Sequence, residues 1–312
     1  METYNITHPH EFIEEMKPKV IALGFFDGVH LGHQKVINTA VNTANVRGVE
    51  AAVMTFHPHP LVVLSNGKRE VEYLTPLQEK LKRIASLGVH KCYVIKFDKD
   101  FAKLTPQQFV DQYIIALNTV HVVAGFDFSY GSLGRGTMET LPFHSRGAFD
   151  QTEIGKVVKS DEKISSTLIR SLIIDGKVSD VVDYLGRFYE VEGTVIKGEQ
   201  RGRQLGFPTA NIKLDENYIC PKNGVYSVNV LVEGEWYKGV CNIGKKPTFH
   251  DTFEQTVEVH ILDFSEDIYG KTVKITWLTR LRDEKKFSSI DELLGQIKQD
   301  IKDTEQFFKN RK

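Results

Sequence analysis

Two histidines stand three residues apart in a glycine-bearing turn near the start of the chain, at His30 and His33. The turn follows an apolar run, Val20 to Leu23, and leads into a run with helical periodicity. A turn from strand to helix presents backbone N–H groups and the positive end of a helix dipole, and both attract phosphate. Two imidazoles would add donors for the same anion. The pattern predicts a phosphate site whose other members are Gly24, Phe25, Asp27 and Gly32.

A second candidate phosphate site is a run of three hydroxyl residues, Ser165 to Thr167, followed by Arg170. The run opens a segment that reads as a helix, and a single hydroxyl would be enough to cap it. Hydroxyl and backbone donors at a helix end, with a guanidinium one turn further on, suit a phosphate group. We therefore predict that Ser165, Ser166 and Arg170 bind phosphate.

A longer glycine-rich segment lies in the second half of the chain, between Gly198 and Asn211. It is not a Walker loop, because no Gly-Lys-Ser/Thr follows its glycines. Gly198 and Gly202 permit a close backbone approach to phosphate, and Arg203 adds positive charge. Thr209 and Asn211 are two residues apart, so in an extended segment their oxygen atoms share a face. Hard oxygen ligands of this kind suit Mg²⁺ bound with a nucleotide phosphate.

The run from Glu254 to Ile261 alternates polar and apolar residues, as a half-buried strand does. Glu254 and Glu258 fall on its polar face. They are either solvent-exposed carboxylates or, in one case, a catalytic base, and the alternation alone does not choose between these readings.

Two further loops follow strand-like runs. Phe56-His57-Pro58 reads as a stiff loop with incidental histidines or as part of a binding site. The segment from Gly125 to Gly131 mixes glycines and aromatic residues with one acid, Asp127. Its aromatic residues either pack against the sheet or line a site.

Strand and helix signals alternate up to about Gly186, which predicts a parallel sheet covered by helices. Thr75-Pro76 and Thr105-Pro106 each read as a helix start, with Thr at the cap and Pro in the first turn. Ligands of such sheets bind at the carboxyl ends of the strands. The runs that we predict as strands are Val20–Leu23, Glu50–Phe56, Lys91–Phe97 and Thr119–Ala124.

After about Leu185 the signals are of strands only, until Ser288-Ser289 can cap a helix from Ile290 to about Phe308. This order predicts a small antiparallel barrel or sandwich with a C-terminal helix, and domains of residues 1–185 and 186–312. The predicted strands are Tyr189–Lys197, Gly224–Val232, Trp236–Asn242, Thr256–Phe264 and Lys271–Leu281.

The composition is that of an ordinary globular protein, with 312 residues, 41% of them hydrophobic and 26% charged. A net charge of −1 gives no general attraction to nucleic acid or to an anionic membrane. The three cysteines are far apart in the sequence, so we expect them to be reduced. No apolar run approaches the ~20 residues that span a bilayer, and the first ten residues contain no apolar signal core. We expect a cytoplasmic protein.

Four strings in matching order resemble bacterial bifunctional riboflavin kinase/FAD synthetase: Phe26 to His33, Ile164 to Arg170, Gly198 to Asn211 and Val257 to His260. The resemblance covers nearly the whole chain. It implies a Rossmann-like α/β nucleotidyltransferase domain followed by a riboflavin kinase barrel. The barrel would phosphorylate riboflavin with ATP to give FMN. The first domain would transfer AMP from a second ATP to FMN, giving FAD and pyrophosphate.

The resemblance also implies roles for individual residues. His30 and His33 would stabilise charge at the α-phosphorus, and Glu258 would be the base that activates the ribityl hydroxyl. Asp127 would contact the nucleotide or order its site, and Thr209 with Asn211 would position Mg²⁺ and ATP. The residues implied on the flavin side are Phe56, His57, Pro58 and Arg282. The implied partners are ATP, riboflavin, FMN and FAD, with no nucleic acid or membrane, in a monomer or weak homo-oligomer.

Two other interpretations stay open at this point. In the first, the chain is an enzyme, but either only one module is active or the first half transfers a nucleotide to a different phosphate. In the second, the chain is a non-catalytic flavin or nucleotide sensor. A sensor needs a readout surface, and the sequence contains no basic recognition helix.

Overall fold

The computed structural model describes residues 1–10, 16–159, 161–198, 202, 205–247 and 253–310, without the side chains of residues 245–247, 253 and 254. The chain divides into two compact units, residues 1–166 and 167–312. We call them the first and second units and describe each by itself.

The first unit is built on a six-stranded sheet in which every neighbouring pair is parallel, in the order β1-β4-β3-β2-β5-β8. This confirms the predicted parallel sheet and its four strands. The edge strands β1 and β8 were not predicted. The strands of the unit are β1 (Glu2–Ile6), β2 (Lys19–Leu23), β3 (Glu50–His57), β4 (Lys91–Lys96), β5 (Thr119–Gly125), β6 (Ser129–Tyr130), β7 (Gly136–Thr137), β8 (Asp150–Ile154), β9 (Val158–Lys159) and β10 (Glu162–Lys163).

Helical segments cover both faces of this sheet, so its central strands are buried on both sides. The segments are α1 (Leu31–Arg47), α2 (Pro60–Leu64), α3 (Leu77–Ser86), α4 (Pro106–Phe109) with a π-helical continuation over Val110–Ile115, and α5 (Leu141–Ser145). Helix α1 buries Val36, Ile37, Ala40 and Ala44 at helical spacing and ends at Gly48 in the left-handed conformation.

The two predicted helix starts differ in their caps. Thr105 caps α4 as expected, in a reciprocal pair of hydrogen bonds with Gln108. At α3, Pro76 rather than Thr75 occupies the cap position, without a side-chain cap. The cap position therefore falls one residue later than predicted. The N–H of Thr75 is held from outside the helix by the Asp27 carboxylate, at 3.0 Å.

The second unit is a closed barrel of strand order β11-β12-β15-β14-β13-β16, which is one of the two architectures predicted from the sequence. All of its strands except β12 were predicted. Its strands are β11 (Tyr189–Ile196), β12 (Ala210–Leu214), β13 (Gly224–Val232), β14 (Glu235–Pro247), β15 (Phe253–Ile261) and β16 (Thr272–Arg282). Its helices are α6 (Ser166–Ile174), which begins at the last residue of the first unit, α7 (Val182–Leu185) and α8 (Ile290–Lys309). Ser289 caps α8 through the N–H of Glu292.

One turn and one ion pair hold parts of the second unit in place. The β13–β14 hairpin turns through Glu233 and Gly234, whose φ angles of 49° and 94° match the right-handed twist of the paired strands. The guanidinium of Arg282 donates to both carboxylate oxygens of Asp300, at 2.8 and 2.7 Å, and so attaches α8 to the end of β16.

In the part of the chain that the structure describes, no helix is long and apolar enough to cross a membrane. The three cysteines are free, and Cys92 and Cys241 are buried.

The segment that joins the units packs against the barrel. The N–H of Lys222 donates to the carbonyl of Ile173 at 3.2 Å, and a Cβ at Gly176 would lie 2.8 Å from Arg280 Cδ. We expect residues 187–312 to fold alone and to phosphorylate riboflavin. Residues 167–312 should melt higher, by roughly 3–5 °C for each kcal/mol that the added contacts contribute.

Calorimetry and a riboflavin phosphorylation assay on both fragments check this prediction. Equal melting temperatures would show that residues 167–186 add nothing to the barrel. If both fragments fold and neither has kinase activity, the kinase site needs the first unit.

Candidate active sites

The turn between β2 and α1 has a strained backbone. Phe26 and Val29 have positive φ angles of 55° and 44°, and Gly28 has a φ of 87°. A positive φ is rare for any residue with a side chain and rarest for a β-branched one such as Val29. A Cβ at Gly24 would lie 2.7 Å from the Phe26 ring, so this position needs glycine. Strain of this kind is held by the surrounding fold and is typical of functional sites.

The strained turn places the two histidines side by side at the start of α1. His30 is the cap residue, and its Nδ1 accepts the N–H of His33 at 3.2 Å. The two rings stack with centroids 3.5 Å apart and planes 17° apart. A Cβ at Gly32 would lie 3.1 Å from the His30 ring, so Gly32 leaves room for that ring. The structure therefore brings together the paired imidazoles and the helix N-terminus that the sequence predicted.

His33 is partly exposed as a residue, but its Nδ1 is buried and has no hydrogen-bond partner among the described residues. Burial, with the nearby positive charges of His30 and Lys80, lowers the pKa of His33 well below 6.5. The free protein thus holds this imidazole neutral at pH 7, with one ring nitrogen able to donate a hydrogen bond.

Asp27 connects three segments of the first unit. Its buried carboxylate accepts the N–H groups of Leu74 and Thr75, at 3.2 and 3.0 Å. Its carbonyl accepts the hydroxyl of Ser166 at 2.9 Å. The hydroxyl run that begins at Ser165 therefore lies against the histidine turn, as the two phosphate predictions require. The carboxylate itself holds the backbone at residues 74 and 75, and the predicted phosphate contact of Asp27 stays a prediction.

Arg170 lies in α6, which belongs to the second unit after its first residue. Its predicted contact with phosphate stays a prediction.

Lys80 in α3 was not predicted from the sequence. Lys80 is 2% exposed, and its ammonium donates to the Phe25 carbonyl and the Thr55 hydroxyl, both at 3.0 Å. Burial lowers its pKa to about 8, against the opposing effect of Asp27. Its spacing could have identified it, because Lys80 falls on the apolar stripe of α3 between Leu77 and Ile84.

Aromatic rings gather beside the same turn. The Phe25 ring lies 4.5 Å from His59 and 6.4 Å from Tyr73, and Tyr73 lies 6.3 Å from His57. Phe56, by contrast, is 8% exposed and packs in the core against other phenylalanines. The predicted flavin contacts of Phe56, His57 and Pro58 stay predictions. Tyr73 was not predicted, because it follows a polar stretch that carries no signal for a site.

Asp127 forms an ion pair with Lys163, with 2.7 Å between carboxylate oxygen and ammonium. The same ammonium lies 4.6 Å from the centroid of the Phe126 ring. These contacts tie the loop after β5 to the segment just before the hydroxyl run. They support the ordering role among the two roles considered for Asp127.

In the second unit, strand register brings Glu258 beside the glycine-rich segment. Asn211 on β12 pairs with Glu258 on β15, and Glu258 pairs with Asn242 on β14. Val257 and Val259 are buried while Glu258 is half-buried, so the predicted alternation is confirmed. The three polar residues form one row across three adjacent strands.

The glycines of the segment approach this row closely. A Cβ at Gly198 would lie 2.1 Å from the Asn211 side chain. A Cβ at Gly202 would lie 2.4 Å from the Phe207 carbonyl oxygen and 3.5 Å from Thr209 Oγ1. Gly202 therefore needs to be glycine, because a Cβ there would meet backbone, and a Cβ at Gly198 would displace the Asn211 side chain. Arg203 lies outside the described residues.

His260 holds the residues just before β12. Its ring nitrogen donates to the Pro208 carbonyl at 2.7 Å, and its ring packs edge-on against Phe207 at 5.7 Å. Thr209 follows directly, one residue before β12 begins and two before Asn211. The sequence placed His260 on the polar face of its strand but did not reveal this role.

No group of three His, Cys, Asp or Glu side chains among the described residues is arranged to hold a metal. Thr209 and Asn211 nevertheless fit Mg²⁺, which takes few protein oxygens and keeps water or phosphate as its other ligands. The space left by Gly198 and Gly202 is consistent with that fit.

A cavity of about 360 Å³ opens next to Thr209 in the barrel. Its wall is mixed, with Ser265, Glu266 and Asp267 beside apolar residues, and a volume of this size suits a small ligand. The residues that form its apolar part are Val195, Val259, Ile261, Phe264, Ile268 and Tyr269.

Arg282 uses its guanidinium for the Asp300 ion pair already described, and its other terminal nitrogen donates to the Asp283 carbonyl at 3.0 Å. Its predicted contact with flavin stays a prediction, and its observed contacts attach α8 to the barrel.

Comparisons with known proteins match both halves of the chain. A family model described as FAD synthetase matches residues 12–168, and one described as riboflavin kinase matches residues 185–308. A curated bifunctional riboflavin kinase/FMN adenylyltransferase from Bacillus subtilis is 49% identical over 99% of both chains. The protein of the same name from Escherichia coli is 35% identical over 93% of this chain and 92% of its own.

One solved structure, described as a macrolide-efflux protein from Streptococcus pneumoniae, superposes with a TM-score of 0.87 at 35% identity. The match covers 98% of this chain and 99% of that one.

The neutral state of His33 predicts how stability depends on pH. The unfolded chain takes up a proton at this position below pH 6.5, whereas the folded chain does not. Its contribution to stability is therefore complete above pH 6.5 and is lost as the pH falls towards the folded pKa. Relative to His33→Gln, the free energy of unfolding of the wild-type first unit should fall by up to about 1.4 kcal/mol for each pH unit below pH 6.5.

Denaturant unfolding of both proteins between pH 5 and pH 8 checks this expectation. Parallel stability curves for wild type and His33→Gln would contradict a neutral His33.

Proposed function

This chain belongs to the family of bifunctional riboflavin kinase/FMN adenylyltransferases, and we propose which of its residues carry each of the two reactions. The second unit phosphorylates riboflavin to FMN, and the first unit adenylylates FMN to FAD. The flavins and ATP are its small-molecule substrates and products.

For adenylyl transfer, His30 and His33 donate hydrogen bonds to the ATP phosphates at the start of α1. The FMN phosphate oxygen attacks the α-phosphorus, and the bond from that phosphorus to the bridging oxygen of pyrophosphate breaks. Negative charge builds on both sides of the phosphorus, so fixed donors there stabilise the transition state. Ser165, Ser166 and Arg170 neutralise the departing pyrophosphate. The stacked histidines beside the Ser166–Asp27 hydrogen bond are the observation that carries this assignment.

For phosphorylation, the oxygen of the ribityl hydroxyl attacks the γ-phosphorus of ATP. Glu258 takes the proton of that hydroxyl. The bond to ADP breaks, and FMN and ADP are the products. Thr209 and Asn211 would hold Mg²⁺, which offsets charge on the ATP phosphates when bound. The pairing of Asn211 with Glu258 is the observation that carries this assignment, because it sets base and metal ligands side by side.

The cavity next to Thr209 accommodates the adenosine of the ATP used by the kinase. The apolar part of its wall provides a surface for the base, and Thr209 stands at the boundary with the predicted phosphate site. Gly198 and Gly202 leave space for the phosphates between these two points.

Incubation of the purified protein with riboflavin, ATP and Mg²⁺, followed by chromatographic separation of flavins, tests both reactions together. FMN should accumulate first and FAD after it. Starting from FMN isolates adenylyl transfer, and chelating Mg²⁺ should stop both steps.

Replacing both His30 and His33 with alanine should abolish FAD formation and leave FMN formation intact. The loss of a well-placed transition-state donor costs roughly 10²–10³ in rate. His90→Ala is a matched control, because His90 accepts the Ala51 N–H at the amino end of β3, opposite the site. Unchanged conversion of FMN to FAD in the double variant would rule out the histidine turn as the site.

Glu258→Gln should slow riboflavin phosphorylation by roughly 10²–10⁴, the usual effect of losing a general base. Riboflavin binding should change less, and supplied FMN should still become FAD, since only the transition state of the kinase is affected. Glu254→Gln is the control, and it should have little effect. If Glu254→Gln stops the kinase and Glu258→Gln does not, the base is the other carboxylate.

A further inference from the structure

The first unit buries two lysines at opposite ends of its sheet. Lys19 is 0% exposed at the amino end of β2, where its ammonium donates to the carbonyls of Lys17 and Leu117. Lys80 is 2% exposed at the carboxyl end, behind the turn that carries the histidines. Burying an ammonium is unfavourable unless other interactions compensate it, so each position needs an explanation.

The hydrogen bonds of Lys80 do not by themselves require a charge. Its ammonium donates to the carbonyl of Phe25, but the hydroxyl of Thr55 donates to that same carbonyl at 2.9 Å. The carbonyl would therefore keep a donor without the lysine. Among the described residues, no carboxylate lies within ion-pair distance of the Lys80 ammonium, whose other neighbours are Thr55 and the Phe25 ring at 4.5 Å.

This cation lies behind the candidate phosphate-binding turn, where it donates to the Phe25 carbonyl. The titratable groups that face it are Asp27 in the turn, His33 on α1 and Cys92 on β4. The carboxylate of Asp27 is occupied by the N–H groups of Leu74 and Thr75. A positive charge without a direct counter-ion in a low-dielectric site raises the local potential, which favours a bound polyanion.

We propose that Lys80 is a positioning residue for adenylyl transfer, which holds the Phe25 carbonyl from behind and supplies fixed positive charge to the ATP phosphates through the turn. The inference rests on the assignment of that turn to ATP. Lys80 does not touch the reacting atoms. It favours pyrophosphate as the leaving group because negative charge grows there as the bond breaks.

Lys80→Met tests the proposal, since methionine keeps the length of the side chain and removes the ammonium. In the conversion of FMN to FAD, kcat/KM for ATP should fall roughly ten- to a hundred-fold, less than for a direct donor. Riboflavin phosphorylation by the second unit is the internal reference. The first unit of the variant should melt at or above the wild-type temperature, because a buried charge has been removed.

A merely structural lysine gives the opposite result, a lower melting temperature with normal activity per folded molecule, and that result overturns the proposal. Lys19→Met is the matched control. It removes the other buried ammonium of the unit and should leave kcat/KM for ATP unchanged.

A pH profile distinguishes the two lysines without relying on the stability of the variant. Burial lowers the pKa of each to about 8. In the wild type, kcat/KM for ATP should fall as the pH rises above about 8, because the Lys80 ammonium is lost. Lys19→Met should keep this decline, and Lys80→Met should not show it.

A wild-type profile without the decline overturns the proposal even if Lys80→Met does not fold. Failure of the underlying site assignment is separable, because FAD formation would then survive the double histidine substitution. If the histidine variant is inactive while Lys80→Met matches wild type, only the role of Lys80 is wrong.

Discussion

The first site depends on how the backbone between β2 and α1 is held in a conformation that it would not adopt alone. Phe26 and Val29 occupy the left-handed region, and a small set of distant groups keeps them there. Asp27 binds the N–H groups of Leu74 and Thr75, and Ser166 binds the Asp27 carbonyl. The segments involved are 47 and 139 residues away from Asp27 in the sequence. The geometry of the histidines therefore exists only in the folded unit.

The second site depends on a different constraint, the close approach of backbone to side chain. Gly198 lies against Asn211, and barrel register sets Asn211 beside Glu258. A shift of one residue in the pairing of β12 with β15 would turn Glu258 to the opposite face. The His260 contact with Pro208 holds the loop at the point where such a shift would begin. Closure of the barrel thus fixes the site as well as the fold.

Both units move phosphorus between oxygen atoms, and both do so with few groups that react. The proposed donors of the first unit lie beside a turn with a strained backbone, and the proposed base of the second unit is placed by strand register beside a segment that contains glycines. In the first unit, the sheet adds buried charge behind the turn, with Lys80 at its carboxyl edge. In the second unit, the row of Asn211, Glu258 and Asn242 on adjacent strands lies beside the candidate site. Positioning of substrates is the shared physical principle of two otherwise unrelated architectures.

Much of the fold followed from local patterns. The alternation of strand and helix signals gave the parallel sheet, and Gly224–Val232 was predicted with its observed bounds. The five-residue strands that were missed, β1, β8 and β12, are rich in polar residues. The two-residue strands β6, β7, β9 and β10 were missed as well. β1, β8 and β12 form strands because neighbouring strands have unpaired backbone groups that they can hydrogen-bond. The local sequence carries no signal of those neighbours.

The sequence by itself indicated the chemistry that we propose for the sites, because residue types at fixed spacing, such as His30 with His33 or Thr209 with Asn211, are local features. Only the tertiary structure decided which groups surround them. Asp27 turned out to hold backbone, Arg282 to bind Asp300, and Lys80 to lie beneath the turn. Each of these contacts joins residues that are distant in sequence, and whether a charged side chain is buried or exposed is settled only when the chain packs.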